Sequence, residues 1–79
     1  MIVRTNSDRA RRAARALKAY RSCVGDADTT PEEDVTDLLC DLRHYCDAED
    51  LDLAALDRIG HSLYRHECAE ERAARNSAP

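Results

Sequence analysis

Apolar residues recur along this chain in three stretches with helical spacing, separated by short polar links. Between residues 7 and 24, Ala10, Ala13, Leu17, Tyr20 and Val24 return every three or four positions and so line one side of an α-helix. From 31 to 48, Val35, Leu38, Leu39, Leu42 and Cys46 form a second such stripe. From 53 to 74, Leu53, Leu56, Ile59 or Gly60, Leu63 and Glu67 form a third, which fades into Ala73 and Ala74.

The links carry the matching start and stop signals. Asn6 or Ser7 is expected to cap the first helix, with Gly25 as its stop. Thr30 opens a capping box with Glu33, and Pro31 takes the first helical position, where its missing N–H costs nothing. Asp52 caps the third helix, with Leu51 and Leu56 placed as a hydrophobic staple. Residues 75–79 read as a frayed tail. The link between the second and third helices is short enough to impose an antiparallel hairpin, against which the first helix packs its apolar side. The expectation is one all-α domain over residues 1–79: a three-helix bundle with a helix 2/helix 3 antiparallel hairpin and a basic N-terminal helix.

Composition supports helices and limits the core. With two Gly, two Pro, no Trp and no Phe in 79 residues, there is little material for the turns of a β fold or for an aromatic core. A chain this short is marginally stable unless something supplements its own core, and a partner can do so. No apolar run has the length of a secretory signal, and none reaches the roughly 18 residues of a membrane span. The expected setting is therefore the cytoplasm, without membrane association. There Cys23, Cys40, Cys46 and Cys68 read better as reduced thiols than as two disulfides.

The formal net charge of −4 conceals strong segregation. Residues 1–25 carry seven Arg or Lys against Asp8 alone, whereas residues 26–57 carry twelve acids against Arg43 alone. Arg11, Arg12, Arg15 and Lys18 lie away from the first helix's apolar side, where they are placed to follow phosphates or simply to be solvated and attracted to the acidic hairpin. Nucleic acid would have to approach that hairpin as well, which handicaps binding through the basic helix. The opposite use is favoured: Asp34, Asp37, Asp41, Asp47, Glu49 and Asp50 present carboxylates suited to a basic protein partner, or to a basic groove that normally holds nucleic acid. Exposed acids that only maintain solubility are the plainer alternative.

No catalytic constellation accompanies these charges. Cys40 and His44 share the side of the second helix opposite its stripe and are weak metal candidates, flanked by Asp37 and Asp47. Paired Cys-x2-Cys spacing is absent, and His61 and Cys68 do not converge with His66, so no metal or other cofactor is expected. As a nucleophile and base, Cys40 and His44 would lie on an open helix side without a loop to form a pocket. Phosphate-binding glycine motifs are also missing, and the chain is read as a non-enzyme. Cys40, His44 and Tyr45 together form a less hydrophilic side than an exposed helix usually presents, which leaves room for a homodimer or a partner helix.

The stretch Asp37-Leu38-Leu39-Cys40-Asp41-Leu42-Arg43-His44-Tyr45-Cys46-Asp47, with Leu51-Asp52 and Ala55-Leu56-Asp57-Arg58-Ile59, resembles short uncharacterised helical proteins encoded on phages, plasmids and other mobile elements of high-GC bacteria. The resemblance covers a little under half of the chain, excludes residues 1–30, and carries over no functional residue. It implies a mobile-element setting in which small proteins often antagonise host defence by stoichiometric binding. By that analogy the expected function is an anti-CRISPR or anti-restriction inhibitor of a host protein or nucleoprotein complex. A nucleic-acid-binding regulator and a metal-binding structural module remain the alternatives.

Overall fold

The computed structural model describes residues 5–25 and 28–77 and contains three helices: α1 (Asn6–Val24), α2 (Pro31–Ala48) and α3 (Leu53–Asn76). Each begins on a side-chain cap. Thr30 and Glu33 form the expected reciprocal box, with Pro31 in the first turn, and Asp52 accepts from the Ala55 N–H at 3.2 Å. At α1 the expected cap is corrected by one position. Thr5 Oγ1 accepts from the Asp8 N–H at 3.1 Å, and the Asp8 carboxylate accepts from the Thr5 N–H at 3.1 Å. Thr5 and Asp8 have the spacing that lets each satisfy the other's backbone donor, so Asn6 is drawn into the first turn, where its Oδ1 accepts from Arg9 Nη1 at 2.7 Å.

The other ends follow equally local chemistry. Gly25 stops α1 in the left-handed conformation at φ 83°, its N–H bonded to the Arg21 carbonyl. At the end of α2 the same job falls to Asp50, with φ 57°. The Leu51 N–H bonds to the Cys46 carbonyl at 2.8 Å and the Asp50 N–H to that of Asp47 at 3.3 Å, the paired hydrogen bonds of a Schellman turn. This turn reverses the chain into α3 and makes the α2/α3 hairpin antiparallel. α3 runs to Asn76, beyond the expected end at 74, because the Ser77 N–H still finds the Ala73 carbonyl. Residues 26 and 27 of the first link, and residues 78 and 79 of the expected tail, lie outside the described residues.

All three helices contact one another, yet the bundle is open. α1 runs across the hairpin as a brace. Near its N-terminus the Asn6 N–H donates to Glu71 at 3.2 Å and Arg9 Nε meets Glu67 at 2.8 Å, both on α3. Near its C-terminus Tyr20 and Arg21 bond to Asp41 and Asp34 on α2. Arg9 and Arg21 are about 18 Å apart along the α1 axis, so α1 meets α3 and α2 at well-separated points.

Burial along the hairpin is sparse. Cys46, one turn before it, is 4% exposed and is the only buried apolar residue among those described, whereas Leu56 is 47% and Ile59 59% exposed. The expected α1 seam is covered only at Leu17 and Tyr20; Ala10, Ala13 and Val24 stay exposed. The radius of gyration, 15.7 Å, exceeds the roughly 12 Å of a compact chain of this length.

Candidate interaction surface

Six carboxylates were expected to form one acidic face; the structure divides them. Asp34 is 7% exposed and turns inward, where Thr29 Oγ1 donates to Oδ1 and Arg21 Nη1 lies 3.4 Å from Oδ2. Asp34 is thus a structural residue that fastens α1 to α2 and is removed from the exposed surface. Asp41 accepts from the Tyr20 hydroxyl at 2.6 Å. That hydrogen bond, reinforced by burial and by the charges of Asp41 and Asp37, pushes the Tyr20 phenol up to about 12. Asp37, Asp47, Glu49 and Asp50 remain: all four are exposed, and none forms an ion pair among the described residues.

The basic helix divides in the same way. Arg9 and Arg21 are spent on the other two helices, and Arg11 pairs with Asp8 in its own first turn. The Asp8 carboxyl is held below its usual range, first by the Thr5 N–H and then by Arg11. Arg12, Arg15 and Lys18 point outward and are in no ion pair among the described residues. The attraction expected between the basic and acidic segments is therefore real at Arg21–Asp34 and does not extend to the outer cations.

A further set of cations escaped the sequence reading. Arg58, Arg65 and Arg72 are seven residues apart, with Arg75 close to their line, and all four are exposed on α3. Summing charge by segment cancels them against Glu67, Glu70 and Glu71. Plotting charge by helical angle separates them, because Glu67 and Glu71 turn toward α1.

The cysteines are free: Cys23 and Cys40 are exposed, Cys68 is half-buried, and Cys46 occupies the seam position assigned to it. Cys40 and His44 lie exposed on the outer side of α2. His66 Nε2 pairs with Glu70 at 2.5 Å, and His61 stacks on Tyr64 with ring centroids 6.2 Å apart. A hydrogen bond with Cys68 raises the Tyr64 phenol above its ordinary value. Among the described residues no group of three or more His, Cys, Asp or Glu side chains is placed to hold a metal ion.

Between α2 and α3 an open cleft of about 640 Å³ is lined by Leu39, Leu42, Leu53 and Leu56, with Arg43 and Asp57 at its edge. Among the described residues no helix is long and apolar enough to cross a membrane. Comparison with known protein families, curated proteins and solved structures gave no match.

Proposed function

We propose that this chain is a non-enzymatic interaction protein whose acidic α2 surface engages a basic region of a host protein or nucleoprotein complex. Acting from a mobile element, it would inhibit a defence system in the manner of an anti-CRISPR or anti-restriction protein. The observation that supports this reading most is that Asp37, Asp47, Glu49 and Asp50 stay exposed and outside any ion pair among the described residues, although the chain has cations of its own. Exposed charges of one sign steer a partner that carries the other.

The test is phage plating on bacteria that carry an active CRISPR or restriction system. The wild-type protein is expected to restore plaques. The triple variant Asp37→Lys, Asp47→Lys, Glu49→Lys is expected to lose that effect while retaining its helical circular dichroism. Asp41 is left intact in this variant because it holds Tyr20. Undiminished inhibition by the triple variant would end the acidic-surface reading, and no protection of phage against either system would end the inhibitor reading.

A second reading rests on Arg12, Arg15 and Lys18, which face outward beside Arg11 as a nucleic-acid contact would. It requires DNA or RNA affinity that falls steeply with salt, and absence of a gel shift at low salt excludes it.

A further inference from the structure

We propose that the apolar seams of α2 and α3 are closed by a second copy of this chain, giving a two-fold symmetric homodimer. The seams consist of Val35, Leu39 and Leu42 on α2 and Leu56, Ile59 and Leu63 on α3, each between 36% and 59% exposed in the single chain. Each set is aliphatic over two turns of its helix, with Arg43 and Asp57 also in the lining of the cleft between them.

The exposed area fits this occupant. A compact monomer of 8.9 kDa exposes roughly 4,800 Å². This chain exposes 6855 Å². The excess is roughly 2,000 Å² per chain, so the open bundle has area enough for the roughly 1,000 Å² per partner at which obligate homodimer interfaces begin. Chain entropy makes the same demand. Ordering costs about 1.5 kcal/mol per residue, and Cys46, the one buried apolar side chain among the described residues, cannot offset that.

Two features favour a copy of the chain over a foreign protein. Uncovered aliphatic seams promote aggregation, so they need an occupant from the moment of synthesis, and only another copy is always present in proportion. The cleft between the seams is also self-complementary in charge, with Arg43 from α2 and Asp57 from α3 both in its lining. A two-fold axis turns each such contact into a reciprocal pair. This dimer stands apart from the identity of any host partner, because Asp37 and Asp47 lie away from the α2 seam and Glu49 and Asp50 lie in the turn that follows the helix.

The deciding measurements use the unaltered protein. Sedimentation or light scattering is expected to give twice the 8.9 kDa mass of one chain. Thermal melts over a hundredfold concentration range are expected to show a midpoint that rises with concentration, as for a dimer that unfolds on dissociating. A helical 8.9 kDa species with a concentration-independent midpoint would overturn the proposal, and so would a trimer or larger assembly. The double variant Leu42→Asp, Ile59→Asp is expected to run as a monomer and to lose at least half of its helical signal. If it kept the dimer mass, the seams would not be the interface.

Discussion

Arg21 on α1 and Asp34 on α2 meet with Nη1 and Oδ2 3.4 Å apart, and Thr29, in the link between these helices, donates to the other oxygen of the same carboxylate. Three consecutive pieces of the chain therefore converge on one nearly buried acid. Asp34→Ala is expected to lower stability by about 1–3 kcal/mol, because it strands the Arg21 and Thr29 donors. The partial exposure of Arg21 keeps the loss below that of breaking a fully buried pair. Asp34→Asn retains an acceptor for Thr29 and should fall between wild type and Ala. Urea midpoints of the three proteins check the order, and equal midpoints would deny Asp34 its fastening role.

Tyr20 makes the second fastening to α2, and its pH dependence has a definite sign. The hydrogen bond to Asp41 needs the protonated phenol, so folding raises the phenol from 10.0 to about 12. Its contribution is complete below pH 10 and is lost as pH rises from about 10 to about 12. Phenolate absorbance should show a component ionising near pH 12 in the wild type that is lost in Tyr20→Phe. The variant should also melt lower than wild type at neutral pH, with the difference disappearing above pH 12.

What could be read in the sequence depended on distance along the chain. The capping box of Thr30 and Glu33, the Gly25 stop and the Asp52 cap each need partners only a few residues away, and all three took the expected form. The first cap was misplaced because Asn6 and Ser7 are good capping residues in isolation, and only the pairing with Asp8 selects Thr5. Apolar spacing identified the seams of α2 and α3, but a seam pattern does not say whether the same chain can cover it. The fate of Asp34 was hidden for a related reason: its partners come from another helix and a link, so its periodicity looked like that of its exposed neighbour Asp37.

The four thiols should separate by reaction rate. Cys23 and Cys40 are exposed, Cys68 is half-buried beside Tyr64, and Cys46 is 4% exposed under the hairpin turn. Brief alkylation followed by mass mapping is expected to label Cys23 and Cys40 first, Cys68 more slowly, and Cys46 only after denaturant is added. Early labelling of Cys46 would mean that the turn opens in the native state. Cys46→Ser, which places a hydroxyl at the one apolar position buried among the described residues, should destabilise the hairpin by about 1–3 kcal/mol.

Asp50 joins stability to the proposed contact surface. Its φ of 57° lies in the left-handed region, which disfavours a side chain, yet the Schellman turn into α3 requires that conformation. Glycine adopts it without steric cost, and its greater freedom in the unfolded chain cancels only part of the gain. Asp50→Gly is therefore expected to stabilise the protein by about 0.5 kcal/mol, a rise of a few degrees in Tm. The same change removes one of the four exposed carboxylates, so inhibition in the plating assay should weaken while the melt improves. A functional residue held in a strained turn produces opposite movement of the two readouts. If stability and inhibition rise together, Asp50 is only a poor turn residue and belongs outside the contact surface.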